Sequence, residues 1–221
     1  ADSTATKDSY STNLTAFGNG EYDIMIGTQM VAKGLDFPLV TVVGVIGADR
    51  ALYSDDYRGY ERTFALLTQV IGRAGRADDA GIAVIQTNDT QNNVIRLAQM
   101  QDYDAFYKEE ILNRKLMIFP PYCDICMIFA QSSDADTAKE AVNQILLNIK
   151  KLVEDNYSDI KLIILGPAPA SVPKVNNKYR YRMVIKVKNN ARFRDMIKSA
   201  ISIKLKKDAY VGVDINPEII I

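Results

Sequence analysis

The chain has 221 residues, 48% of them apolar and 24% charged, with 27 Lys and Arg against 27 Asp and Glu, two Cys, and neither His nor Trp. This is the composition of a globular protein of one large or two ordinary domains, which excludes a disordered or low-complexity chain and any mechanism built on an imidazole base or ligand. Two cysteines do not staple a chain of this size, pointing to a reducing cytoplasm; the opening residues carry no secretory pattern, and no apolar run nears the roughly 18 residues of a membrane span.

The neutral total conceals an asymmetry. Ala1 to Arg114 holds 10 basic and 16 acidic residues, whereas Lys115 to Ile221 holds 17 basic and 11 acidic. Halves of opposite sign suggest two domains with different partners. In chain order, Asp23–Gly27, Leu39–Ile46 and Ile82–Thr87 are short apolar runs that predict strands buried on both faces. Tyr60–Ile71 and Gln91–Met100 show helical spacing. Strands separated by helices predict a parallel sheet whose ligands lie at the carboxyl ends of strands, in the loops after Ile26 and Ile46.

Two motifs fall near those loops. The first, GTQMVAKGLDFP over residues 27–38, sets Thr28 at a strand end, followed by Gly34 and Asp36. A hydroxyl there suits a phosphate oxygen of a nucleic-acid strand, glycine permits close backbone approach, and the carboxylate can hold a ribose hydroxyl or an arginine. The same residues also read as plain turn chemistry. The second motif, QVIGRAGRA over residues 69–77, ends a helix with Arg73 and Arg76 interleaved with Gly72 and Gly75. Arginines there can satisfy the last carbonyls, or they can meet a bulky anion such as a nucleoside triphosphate.

A helix is expected over Asp102–Lys115, ended by Phe119-Pro120-Pro121-Tyr122, where neither proline has an N–H. The domain junction is placed there, giving domains 1–116 and 117–221. Beyond it the pattern predicts strand Tyr122–Gln131, helix Thr137–Glu154 after start signals at Asp134 and Asp136, and strand Ile160–Leu165. Next come a proline-rich loop Gly166–Lys178, strand Tyr179–Lys188, helix Ala191–Leu205 and strand Ala209–Ile215. The order βαββαβ is the split ferredoxin-like arrangement.

Ile160 to Arg194 holds nine Lys and Arg and no Asp or Glu. Strand Tyr179–Lys188 alternates with period two, putting Arg180, Arg182, Val184, Lys186 and Lys188 on one face and Tyr179, Tyr181, Met183, Ile185 and Val187 on the other. The apolar face is expected to meet the helices, leaving the basic face to water or phosphate. With Lys174, Lys178, Arg192 and Arg194 at the strand's ends, such a surface would bind DNA through phosphates, with Tyr179 able to stack on a base. Charge alone fits a merely solvated face equally well. Cys123 and Cys126 have C-x-x-C spacing, but with no other Cys or His they cannot complete a zinc site, and the strand-like context favours core packing; no metal ligands are assigned.

Together, GTQMVAKGLDFP, the following YRGYERTFALLTQVIGRAGRA, and the later FPPY and LGPAPA resemble motifs V and VI and the tail of superfamily 2 helicases, more narrowly the PriA (primosomal protein N-prime) family of bacterial replication-restart helicases. The resemblance implies a partial RecA-like parallel sheet, from helicase lobe 2, followed by an α+β ferredoxin-like C-terminal domain. Its implied roles put Thr28 on the DNA backbone, and Gly34 and Asp36 in coupling nucleotide state to DNA grip. Gln69, Gly72, Arg73 and Arg76 would lie at the ATP phosphates, with Arg76 the finger on the γ-phosphate. Leu35 stands where many relatives have His. The implied cofactors are ATP and Mg²⁺. The implied partners are forked or single-stranded DNA, single-stranded-DNA-binding protein and primosome proteins, without a membrane.

The sequence has no G-x-x-x-x-G-K-[ST] phosphate loop, no acidic metal motif and none of the cysteine ligands of the family's zinc segments. It therefore reads as part of a helicase that is inactive as an ATPase alone. The rivals are a stand-alone nucleic-acid-binding module and a duplex DNA translocase that does not unwind.

Overall fold

The structure, a computed structural model, describes residues 7–28, 37, 39–50, 52–53, 56–72 and 81–218. The chain divides into two units, Ala1–Ser54 with Arg58–Lys108, and Asp55–Tyr57 with Glu109–Ile221.

In the first unit, helix α1 (Lys7–Gly18) precedes strand β1 (Val42–Val45), helix α2 (Gly59–Ile71), strand β2 (Ile82–Ile85), helix α3 (Asn93–Met100) and the start of helix α4 (Tyr103–Met117). β1 and β2 pair in parallel, Val42 opposite Ile82 and Val45 opposite Ile85. Inward spacing on α2 buries Phe64, Leu67 and Val70, and Phe64 stacks on Phe106 of α4 at 4.2 Å between centroids. Val94, Ile95, Leu97 and Ala98 of α3 complete this core, against which Val45 and Ile85 pack. The N-cap Asn92 accepts from the Val94 amide at 3.1 Å, and Gln101 ends α3 in the left-handed region at φ 55°.

A polar clasp closes the carboxyl ends of both strands. Asp49 is buried in a 3₁₀ turn after β1, accepting from the Thr87 hydroxyl at 2.5 Å and the Asn88 amide at 2.8 Å just after β2. These bonds to the charged form hold its carboxyl below the usual range.

The strand expected at Asp23–Gly27 does not form: this segment pairs with no strand, and Ile24 and Ile26 are exposed. A strand requires a partner ladder, and β1 and β2 pair only with one another among the described residues.

The second unit runs β3 (Asp124–Ser132), α5 (Ala135–Asp155), β4 (Leu162–Val175), β5 (Lys178–Val187), α6 (Ala191–Ile201) and β6 (Tyr210–Ile215). Its strand order is β4-β5-β3-β6, with every neighbouring pair antiparallel, which is the ferredoxin-like topology expected from βαββαβ. Both helices pack on one face. Cys126, Ile128, Ala130, Met183, Ile185 and Val187 meet Val142, Ile145 and Ile149 of α5 and Phe193, Met196 and Ala200 of α6 in one core. Asp134 caps α5 through the Thr137 amide at 2.8 Å, and Asn190 caps α6 through the Phe193 amide at 2.8 Å.

The loop expected at Gly166–Lys178 is instead the continuation of β4, which turns into β5 through Asn176 and Asn177 at φ 49° and 60°. Asparagine tolerates the left-handed region, so this pair makes a two-residue hairpin. Pro167, Pro169 and Pro173 are accommodated because β4 is an edge strand whose register shifts between Leu165 and Ala168 and again between Pro169 and Lys174.

Candidate functional site

The residues expected at a nucleotide, together with Thr28 expected on DNA, fall in the first unit. Thr28 is exposed, outside any element. Gln69 is exposed in the last turn of α2, and Gly72 caps that helix, its amide donating to the Thr68 carbonyl at 3.0 Å. Gly72 keeps a right-handed φ of −66°, so a left-handed turn is not what calls for glycine there. Gly34, Asp36, Arg73 and Arg76 lie outside the described residues. At the end of α2, among the described residues, the Gln69 side-chain amide is exposed.

The other residues expected to meet DNA fall in the second unit. The antiparallel registers arrange the face opposite the helices in rows. Ile163, Lys186 and Ile125 make the first, Leu165, Val184, Met127 and Asp214 the second, Ala168, Arg182, Phe129 and Gly212 the third, and Arg180, Gln131 and Tyr210 the fourth. This face is not uniformly wet. Ile125 is 1% exposed and Met127 8%, which breaks the alternation expected for a sheet with one solvated face.

Lys186 departs from its expected place on a water-facing basic surface. It is 8% exposed, donates to the Met117 carbonyl at 2.6 Å, and holds its ammonium 3.7 Å from the centroid of the Phe119 ring. Desolvation pulls its pKa below the usual lysine range. The physical reason is a column of side chains built on the proline break. Phe119 stacks on Tyr57 at 5.1 Å with planes 10° apart, and the Arg114 guanidinium lies 5.2 Å from the Tyr57 ring centroid. Arg114 also pairs with Glu110 at 2.7 Å and donates to the Pro120 carbonyl at 3.3 Å. An ammonium sandwiched between a carbonyl and an aromatic face is stabilised there without a carboxylate, but it is closed to phosphate.

The remaining basic residues are more accessible, although one guanidinium nitrogen of Arg182 is buried. Lys174 and Lys178 are exposed at the β4–β5 turn, and Lys188 is exposed just past β5. Lys174 lies 4.5 Å from the centroid of the half-buried Tyr179 ring, so that ring already carries a cation. Arg180 and Arg182 are half-buried, and Arg182 donates to the Ser171 hydroxyl at 3.0 Å. Arg192 is engaged with Asp159 through two parallel bonds, Nε donating to Oδ2 and Nη2 to Oδ1, both at 3.0 Å, and Arg194 with Asn189 at 3.0 Å. Sequence reading left out Phe129, Gln131 and Tyr210, which share the open rows with Arg180 and Arg182. The parity of β3 and β6 carried that signal, but only a register could join it to β5.

Cys126 is in the core, where burial pushes its thiol up to about 12, and Cys123 donates to the Ile118 carbonyl at 3.2 Å. Among the described residues no group of three or more His, Cys, Asp or Glu side chains is placed to hold a metal ion. No described helix is long and apolar enough to cross a membrane.

Two family models match the chain in tandem, a helicase conserved C-terminal domain over residues 1–78 and a primosomal protein N C-terminal domain over residues 115–218. Over 221 residues the chain is 38% identical to the replication restart protein PriA of Bacillus subtilis, covering 98% of this chain and 27% of that protein. With the Synechocystis protein of the same name it shares 32% identity, covering 98% and 25%, and with that of Chlamydia trachomatis 36%, covering 98% and 28%. The chain thus spans about a quarter of the length of these relatives.

Proposed function

The chain belongs to the PriA family of bacterial replication-restart proteins, and on that premise we propose that it supplies part of the motor and a DNA-binding domain to an ATP-dependent 3′-to-5′ DNA helicase. In this reading residues 1–116 are the part of helicase lobe 2 that carries motifs V and VI, and residues 117–221 bind DNA. The observation that carries it is the tandem order of the two matches, with GTQMVAKGLDFP and QVIGRAGRA both inside the first.

Arg73 and Arg76 would neutralise charge at the transferring phosphoryl group of ATP, Gln69 would orient toward it, and Gly34 and Asp36 would link that site to the DNA held by Thr28. Mg²⁺, for which this sequence carries no acidic binding motif, would supply charge neutralisation at the phosphates when bound. Lys174, Lys178, Arg180, Arg182 and Lys188 would meet the backbone of forked or single-stranded DNA. Lys186 takes no part, and Tyr179 supports Lys174. Single-stranded-DNA-binding protein and primosome proteins in the cytoplasm are the partners that fit this role.

ATP hydrolysis tests the reading. The chain alone turns over no ATP with or without DNA, because it has neither phosphate loop nor metal motif. In the full-length protein, Arg76→Ala lowers kcat by about 10³ or more with DNA affinity nearly unchanged. Turnover by the chain alone, or an unchanged kcat in that variant, refutes it.

A further inference from the structure

The rows of the second unit's outer face differ in cover. Lys186, Ile125 and Met127, in the first two rows, are buried, and Phe119 lies on Lys186. On the central strands β3 and β5 the third and fourth rows are more open, although Ile163, Leu165 and Asp214 on the flanking strands are exposed in the first two. In the third and fourth rows Tyr210 is 54% exposed, and Phe129, Gln131, Arg180 and Arg182 are half-buried. The Phe129 ring does not stack flat on Tyr210: their centroids are 6.1 Å apart with planes inclined by 47°. Gly212 makes room for it, since the far end of the ring occupies the place a side chain there would take, 2.3 Å from where a Cβ would stand. Packing on a strand glycine would account for Phe129 by itself. It does not account for an exposed tyrosine on the neighbouring strand, or for two guanidinium groups cross-strand from Phe129 and Gln131. The third and fourth rows hold no carboxylate; the one in the four rows, Asp214, lies in the second, two rows from Tyr210 along β6.

We propose that these two rows are a base-stacking platform for single-stranded nucleic acid, with Phe129 and Tyr210 carrying bases and Arg180 and Arg182 taking the backbone. Aromatic faces next to cations on an antiparallel sheet suit an unpaired strand. Every base offers a π-face there, whereas a duplex hides its bases from a flat sheet. The Gln131 amide, between Arg180 and Tyr210, can donate to or accept from a base edge. The inference rests on the reading of the second unit as a nucleic-acid binder and names the form of nucleic acid it takes.

The test measures binding of the chain to a labelled oligothymidine, to an abasic oligonucleotide of equal length and to a duplex, by fluorescence anisotropy across a salt series. Oligothymidine is expected to bind about 5- to 100-fold more tightly than the abasic strand. Tyr210→Leu and Phe129→Leu each shrink that ratio and leave the salt slope unchanged. Arg180→Gln with Arg182→Gln keeps the ratio and lowers the slope by about 1.4. Tyr210 is exposed, so its variant tests the platform even where the Phe129 variant unfolds. Equal binding of the thymidine and abasic strands, or a ratio untouched by Tyr210→Leu, overturns the platform and leaves a phosphate-binding surface standing. Binding of none of the three probes overturns the platform and the DNA-binding reading together.

Discussion

The four-stranded sheet of the second unit buries one face under α5 and α6 and closes part of the other, whereas the two-stranded sheet of the first unit is covered by the described residues on one face only. Val43, Val45, Ala83 and Ile85 are half-buried on its covered side; Val42, Ile82 and Val84 on the opposite side are 59%, 60% and 54% exposed. β1 and β2 carry the β-branched runs of a sheet buried on both faces, whereas β5 alternates basic with apolar residues as a half-solvated strand does. The difference shows that such a run reports the burial a strand is built for, while the neighbours present decide the burial it obtains.

The sharpest way to break this contrast is to truncate one side chain in each sheet. Ile128 is fully buried, and Ile128→Ala is expected to cost about 2–5 kcal/mol through lost transfer energy and an unfilled cavity. Val84→Ser on the bare face should change stability by less than about 0.5 kcal/mol. Urea unfolding of the two variants decides it. Comparable losses would mean that the bare face is buried in solution.

The covered half of the second unit's outer face gives a smaller effect. Phe119 makes one ring stack with Tyr57 and one cation–π contact with Lys186. Phe119→Leu keeps an apolar side chain but removes both contacts, for an expected loss of about 1–3 kcal/mol. A double-mutant cycle with Lys186→Met measures how much of that loss belongs to the pair. Zero coupling would reduce the column to ordinary packing.

The sequence made the second unit more legible than the first for a physical reason. In α5 and α6 local periodicity and tertiary burial agree, so period and capping residues such as Asp134 located both helices, and the apolar face of β5 did meet them as its alternation implied. Where they part, reading from sequence fails. Asp23–Gly27 has the composition of a strand but pairs with no strand among the described residues. The prolines of Gly166–Lys178 suggested a loop, although an edge strand with shifted register tolerates them. Lys186 obeyed the alternation and still left water, because the segment that covers it folds back from nearly seventy residues upstream, a contact no local pattern encodes. Of the candidate site, the basic residues were legible from charge, whereas Phe129 and Tyr210 became neighbours of the arginines only through the strand register.

The smallest effect belongs to a polar tie in the second unit, and it carries a sign. One carboxylate oxygen of Asp208 accepts from the Ser133 amide at 2.6 Å and from the Ser132 and Ser133 hydroxyls at 2.8 and 2.5 Å, bonding the chain ahead of β6 to the end of β3. These bonds favour the charged form and hold its pKa down to about 2, against 3.8 for a free aspartate. A group depressed in the folded state stabilises the fold above its unfolded pKa and loses that contribution as pH falls through its folded pKa. The unfolding midpoint in urea should therefore be flat above pH ~5 as far as Asp208 is concerned, and fall between about 4 and 2. In Asp208→Asn that part of the fall disappears, while the midpoint at neutral pH drops slightly because a neutral amide oxygen accepts more weakly than a carboxylate. The first unit offers the matched control in Asp49, also lowered by hydrogen bonds from a threonine hydroxyl and a backbone amide. If the acid limb of the unfolding curve is unchanged by Asp208→Asn but reduced by Asp49→Asn, the acid-sensitive tie lies in the first unit, and the second owes its stability to its apolar core alone.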